Sequence, residues 1–376
     1  VLTIKHGIVL DAVEMCKWGF AQTTALIEVI MDGTIKEGDI IYFEDFWHPG
    51  MEMIPYALSL KGLMGKVKLC AFCHAQSVDP NDFTAKLMMP WIRRFESAWS
   101  ACFDKVFVAS KDLAQALIAM GVCTSAQVDT IGTIFNSVHL LKMVLLDGRH
   151  YYVSDTMLRA PLVIYSSRLD HEKDPDFFVA LARECIKQDK KIGFAICSGS
   201  NNQILPDNIK QLLSDHPQAI RYYGGLQKVA YFYDLATSAV QLNTAKQDFV
   251  SYTLLEATTF GCAPFYPREN ASFGPALGFS EELTYSKSDP IEVTAKKLIA
   301  LVHHQTKKKV FSPTEAVAGD EEFAFVYGKY NRSLYRMLCK LGLLSQIEGT
   351  MEQEYMYTAE RAKVWDENYR KEVANG

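Results

Sequence analysis

Arg168 and Lys173 stand five positions apart in Ser166-Ser-Arg-Leu-Asp-His-Glu-Lys-Asp-Pro-Asp-Phe-Phe, between the apolar run Pro161-Leu-Val-Ile-Tyr-Ser and a helix-favouring segment that opens near Pro175. On a strand-to-helix turn, two cations at this spacing can be aimed at one point, and the amino end of the helix adds partial positive charge. That combination suits a diphosphate and the negative charge that grows on it when a bond to it breaks. A solvated charged loop is the competing reading.

A second segment, Asn243-Thr-Ala-Lys-Gln-Asp-Phe-Val-Ser-Tyr-Thr-Leu-Leu-Glu-Ala-Thr-Thr-Phe-Gly-Cys-Ala-Pro, runs from strand end through loop to helix, with Gly261 as the helix stop before another strand. Asp248 falls in the loop and Glu256 one to two turns into the helix, so both carboxylates can face one ligand. Carboxylates accept strong, oriented hydrogen bonds from sugar or ribose hydroxyls. The alternatives are a helix cap for Asp248 and a helix-surface charge for Glu256.

The elements that must hold these residues alternate along the chain. Asp39-Ile-Ile-Tyr-Phe, Lys66-Val-Lys-Leu-Cys-Ala-Phe, Asp104-Lys-Val-Phe-Val-Ala, Pro161-Leu-Val-Ile-Tyr-Ser, Lys191-Ile-Gly-Phe-Ala-Ile-Cys and Ser238-Ala-Val-Gln-Leu predict buried strands. Amphipathic segments at 21–31, 111–120, 175–188 and 253–260 predict helices between them. Such alternation implies parallel sheets covered on both faces, with ligands at the carboxyl ends of the strands. Turn chemistry at Leu145-Leu-Asp-Gly-Arg-His-Tyr-Tyr-Val-Ser-Asp places a boundary near 140–160, and beyond about 331 the chain becomes charged and helix-favouring.

Arg168 and Lys173, followed by Asp248 and Glu256 and then by the Glu-Ala-x-x-x-Gly-x-x-Pro run, resemble the donor-binding half of the retaining GT-B glycosyltransferases, the glycogen-synthase-like and mannosyltransferase-like group. The likeness covers roughly residues 160–300. It implies an α/β chain of two Rossmann-like domains facing a cleft: 1–155 on the acceptor side, 156–330 binding a nucleotide-sugar donor, and 331–376 as helices packing across the domains. By the same resemblance Arg168 and Lys173 neutralise the leaving diphosphate, Asp248 contacts the transferred sugar and Glu256 the donor ribose. The family more often has glutamate where Asp248 stands, and aspartate reaches less far. Ser198 and Gly199 match a phosphate-side loop, and Arg221-Tyr-Tyr-Gly-Gly-Leu-Gln-Lys resembles the strand and loop that hold the nucleobase through main-chain groups, here at Gly225 and Leu226. Ser251, Tyr252 and Thr253 complete the expected donor-binding set.

In the front half, His74 ends a strand where family members often carry a histidine facing the donor sugar; a backbone-bonded turn histidine is the alternative. Asp79 and Asp82 follow it and read more simply as helix-starting residues. Glu44-Asp-Phe-Trp-His-Pro-Gly-Met-Glu-Met-Ile-Pro-Tyr combines acids, a tryptophan and His48, which suits hydroxyl recognition and stacking on an acceptor, or a packed surface loop. Gly7, in Lys5-His-Gly, is the one glycine available where the family brings backbone to the donor phosphates. Asp174-Pro-Asp176 has the letters of a metal-binding Asp-x-Asp pair but opens a helix, and reads as capping. The resemblance implies that no cofactor is required, while leaving room for Mg²⁺ stimulation.

Composition narrows the partners. In 376 residues, 39 Lys and Arg against 44 Asp and Glu leave a net charge of −5, which excludes an overall positive field for nucleic acid or anionic lipid. Arg93-Arg94, Lys307–Lys309 and Lys363–Lys371 are the local basic runs, and no basic helix with an exposed aromatic face is legible among them. No run is long and apolar enough to span a bilayer and no export signal opens the chain, so a cytoplasmic protein is expected. The nine cysteines, an odd set mostly inside apolar runs, read as reduced core residues. Cys70-Ala-Phe-Cys-His fits the haem-attachment string only by its letters. The expected activity is transfer of a hexose from UDP-glucose first, or GDP-mannose second, with slow donor hydrolysis, to a glycan, a small molecule or a modified DNA base. A non-catalytic nucleotide- or glycan-binding protein of the same fold is the alternative.

Overall fold

The computed structural model describes residues 2–4, 12–48, 50–135, 137–146, 157–198, 204–249, 251–270, 281–310, 337, 340 and 341. The chain divides into two compact units, Val1–Ile131 and Gly132–Gly376. Gly7, Gly199, the run at 363–371, most of the turn-rich boundary and most of the expected helical tail lie outside the described residues.

In the first unit four parallel strands stand in sequence order: β1 (Ile40–Phe43), β2 (Lys68–Cys73), β3 (Lys105–Val108) and β4 (Val128–Thr130). Its helices are α1 (Ala12–Met31), α2 (Met53–Leu60), the short α3 (Phe83–Leu87), α4 (Trp91–Ser100) and α5 (Lys111–Ala119). Leu69 to Cys73 and Val106 to Val108 are all buried, which is why these strands read as unbroken apolar runs rather than as alternating ones.

The second unit carries α6 (Ser137–Leu146), β5 (Ala160–Tyr165), α7 (Pro175–Gln188), β6 (Gly193–Ser198), α8 (Asp207–Asp215), β7 (Ile220–Gly224), α9 (Lys228–Thr237), β8 (Ser238–Leu242), α10 (Tyr252–Thr259), β9 (Ala263–Pro267), β10 (Thr284–Tyr285) and α11 (Ile291–Gln305). Its six parallel strands are ordered β10-β9-β8-β5-β6-β7. Successive side chains serve opposite faces. Val163, Tyr165, Phe194 and Ile196 pack with Phe178, Leu298 and Val302, while Ile164, Ala195 and Cys197 pack with Phe232, Phe260 and Cys262. Gly261, at φ +66°, ends the α10 region in a left-handed turn that a side chain would strain.

The strand order reverses between β5 and β8, the arrangement of a Rossmann sheet. Chains leaving two neighbouring strands in opposite directions open a crevice at their carboxyl ends. The segments that follow β5 and β8 are the two singled out by their chemistry.

Candidate functional site

After β5 the chain turns through Ser166–Asp170 and a single 3-10 turn, His171–Lys173, into α7. Arg168 donates to Asp170 Oδ2 at 2.9 Å and to Glu172 Oε1 through a short contact. Lys173 Nζ lies 3.5 Å from the same Glu172 oxygen and 3.9 Å from Asp248 Oδ2. Glu172 is therefore the buried carboxylate that draws both cations together. Sequence reasoning passed over it. Its position between the two cations does not by itself separate it from a solvated acid of a charged loop, because its burial comes from the coil of the turn.

The loop after β8 is tied to this turn. Thr244 Oγ1 donates to the Lys173 carbonyl at 2.6 Å, and the Lys246 amide donates to the Glu172 carbonyl at 2.8 Å. Lys287 Nζ donates to Asp174 Oδ2 and to the Thr244 carbonyl, both at 2.6 Å, and burial pulls the lysine below its usual range while Asp174 opposes the shift. Asp174, at the amino end of α7, has φ +52° and no side-chain cap bond, so the capping reading of this residue is corrected: its carboxylate serves Lys287. Asn243 Nδ2 donates to Asp248 Oδ2 at 3.2 Å and to Ser251 Oγ at 3.0 Å, fixing Asp248 ahead of α10. Ser251 occupies the position before the helix and lies 3.1 Å from Thr253 Oγ1, and Tyr252 turns partly outward with its ring 6.3 Å from that of Phe135.

Glu256 does not project from the helix surface. It is buried, with Oε1 2.7 Å from Lys228 Nζ at the start of α9 and Oε2 without a hydrogen-bond partner. A buried carboxylate oxygen left unpaired is costly, and this one is able to accept a further hydrogen bond. Next to it lies a buried polar chain. Tyr231 OH and Ser166 Oγ are 2.8 Å apart, Gln241 Nε2 donates to Ser166 at 2.8 Å, and Gln241 Oε1 is also unpartnered. Burial, with Glu256 nearby, pushes the Tyr231 hydroxyl well above its usual range.

At the end of β6, Ser198 is buried and its carbonyl accepts from the Leu226 amide at 3.2 Å. Gly225 makes the intervening turn at φ +64°. Arg168, Lys173 and Asp248 are thus linked by ion pairs, with Ser251 joined through Asn243, whereas Glu256 belongs to the neighbouring Lys228–Tyr231 group.

In the first unit His74 follows β2, exposed, with Nε2 3.1 Å from the Glu44 carbonyl and its ring 4.9 Å from that of Phe72. Ala75 and Gln76 after it have φ of +129° and +49°, uncommon for residues with a Cβ. Asp45 accepts from Gln76 Nε2 at 3.0 Å, and burial raises its carboxyl above the usual range against the pull of His74. Asp82 caps α3, accepting from the Thr84 amide at 2.8 Å. Among the described residues no group of three His, Cys, Asp or Glu could hold a metal ion, and no helix is long and apolar enough to cross a membrane.

No family model matches the sequence. Among solved structures the chain is similar to a TarM variant from S. aureus bound to fondaparinux, α-GlcNAc-glycerol and UDP, at 12% identity and a TM-score of 0.52, over 90% of this chain and 59% of that one. It is similar to the pneumococcal O-GlcNAc transferase GtfA in complex with UDP and GlcNAc, at 14% identity and a TM-score of 0.51, over 88% of this chain and 59% of that one. A third is HepE from Anabaena in complex with UDP, at 11% identity and a TM-score of 0.53, over 89% and 82%. The chain spans about three fifths of the length of TarM and of GtfA. At these identities the likeness is one of fold, and together with the two parallel sheets it establishes that this chain has the GT-B fold of two Rossmann-like units.

Proposed function

We propose that the chain is a retaining glycosyltransferase that moves a hexose from a nucleotide sugar to a hydroxyl acceptor. The observation that carries this reading is the pairing, across the strand-order reversal, of two gathered cations on the β5 side with Asp248 and a half-unpartnered buried Glu256 on the β8 side. Arg168 and Lys173 receive the diphosphate, which displaces Asp170 from Arg168. As the glycosyl–phosphate bond breaks, fixed cations meet the charge left on the phosphate. Glu256 Oε2 accepts from the donor ribose, Asp248 from the transferred sugar, and main-chain groups at Gly225 and Leu226 hold the base. Ser198 and Gly199 line the phosphate side, and Ser251, Tyr252 and Thr253 border the donor at the start of α10. His74 is the first unit's proposed contribution to catalysis.

The preferred step is substitution on one face of the sugar. The acceptor oxygen bonds to the anomeric carbon on the side from which the phosphate oxygen departs, and that phosphate oxygen takes the acceptor proton. UDP-glucose is proposed as donor ahead of GDP-mannose, an order supported by UDP in the similar TarM, GtfA and HepE structures. No cofactor is required in this scheme, and Mg²⁺ acts at most as a stimulator. The acceptor is a glycan, a small molecule or a modified DNA base.

The test is a nucleotide-sugar panel with and without EDTA, scored by released UDP or GDP, alone and with glycan, polyol and DNA acceptors. Release from one donor, lowered about 10²–10³-fold in Arg168→Ala, is expected. Tight UDP or GDP binding without release under any of these conditions would overturn transfer in favour of a binding protein.

A further inference from the structure

The segment from α3 to α4 presents an unusual face. Leu87 is 78% exposed, Met89 38%, Trp91 49% and Phe95 49%. The helix itself explains the last two. α4 buries Ile92, Glu96, Trp99 and Ser100, so Trp91, Arg94, Phe95 and Ala98, at i, i+3, i+4 and i+7, share the opposite face. The exposed rings of Trp91 and Phe95 pack edge to face at 5.6 Å, one continuous aromatic surface rather than two scattered side chains.

The charge of the same segment is one-sided. Residues 83–95 contain Lys86, Arg93 and Arg94 and no acid, in a chain whose net charge is −5. The acids that flank it are occupied: Asp82 caps α3, and Glu96 is buried, accepting from the Ser77 amide and hydroxyl. Arg93 donates inward to the Ser77 carbonyl at 3.2 Å, whereas Lys86 and Arg94 are exposed beside the apolar side chains. The sequence-level expectation that no basic helix carries an exposed aromatic face is therefore corrected. A short helix with polar residues on its buried side hides the pattern from a reading that looks for an apolar core stripe.

We propose that this face is a docking surface for an anionic membrane, with Trp91, Phe95, Leu87 and Met89 entering the headgroup boundary and Lys86 and Arg94 meeting lipid phosphates. Exposed aromatic and aliphatic side chains bordered by cations are the composition of an interfacial helix, and large exposed apolar patches mark interaction sites. A second copy of the chain supplies the apolar contact but sets like charges against each other across a two-fold axis. An anionic leaflet supplies both the apolar interior and the opposite charge. Because the chain as a whole is acidic, the association is peripheral, reversible and weakened by salt. This inference does not depend on the donor site.

The test is co-sedimentation of the 376-residue chain with phosphatidylcholine vesicles, with and without phosphatidylglycerol, at low and high salt. Binding is expected only with phosphatidylglycerol, and less in high salt. The double variant Lys86→Gln, Arg94→Gln should bind roughly 25-fold more weakly, about fivefold per cation. Trp91→Ser with Phe95→Ser should lose retention while keeping the wild-type circular dichroism and melting temperature, since both side chains are exposed. No binding to phosphatidylglycerol vesicles, or equal binding by the variants, would overturn the proposal. So would a dimer in sedimentation velocity that Trp91→Ser with Phe95→Ser dissolves, which would assign the face to a second copy.

Discussion

At the residue scale, the question is what a buried carboxylate with one oxygen unpaired is for. Lys228 holds Glu256 Oε1 at 2.7 Å, so the group has one charged partner and one free acceptor site, a combination poised for a hydroxyl. Glu256→Gln keeps the shape and removes the charge-assisted bond. It should weaken UDP binding roughly 10- to 100-fold, the worth of a hydrogen bond to a charged acceptor. The informative control is 2′-deoxy-UDP measured by calorimetry: wild type should lose affinity for it and Glu256→Gln should lose little more. Equal UDP affinity in the two proteins would take Glu256 out of the site. Arg168, Lys173, Asp248 and Glu256 stood out in the sequence as candidates because the two segments that carry them follow the apolar runs of β5 and β8. Glu172 and Lys228 did not. The first depends on the coil of one 3-10 turn, and the second pairs with a residue 28 positions away on another helix, through packing that no local spacing encodes.

At the scale of elements, legibility followed burial. Strands β2, β5 and β8 are covered on both faces and announce themselves as apolar runs. The edge strands β4 and β10, three and two residues long, carry no such run and were missed. Helix α4 was missed for a different reason, since half of its buried face is polar, and Glu96 is the instance with a measurable consequence. Burial raises its carboxyl above the ordinary 4.5, while the Ser77 amide and hydroxyl oppose the shift. The folded chain therefore keeps the proton at pH values where the unfolded chain has released it. The stability linked to that proton is full below pH 4.5 and falls as pH rises to the folded-state value. Glu96→Gln stays neutral, so its stability relative to wild type should grow across that interval and then level off, read from urea melts at several pH values. Glu96→Ala strands the Ser77 amide and should cost about 1–3 kcal/mol at neutral pH. A wild-type to glutamine difference that is constant with pH would contradict the assignment.

At the scale of the whole molecule, two units each carry a core of their own. Ile54, Leu69, Phe107 and Leu113 are buried in the first, and the two faces of the six-stranded sheet are packed in the second. Every residue in the proposed donor set except His74 belongs to the second unit, and where the two units unfold independently, ligand stabilisation acts on the unit that binds. At a hundredfold excess over Kd, UDP should add about 2.7 kcal/mol to that unit. For a unit of this size, the gain moves its melting transition upward by roughly 5–11 °C. A label on the first unit, such as fluorescein on a cysteine introduced at the exposed Lys61, should report a transition that UDP leaves in place. Intrinsic tryptophan emission reports mainly the same unit, because four of the five tryptophans, at 18, 47, 91 and 99, lie in the first unit, and a Trp365→Phe background makes it specific. If both transitions climb together with UDP, the two units melt as one cooperative unit, and the independence expected of the first unit fails.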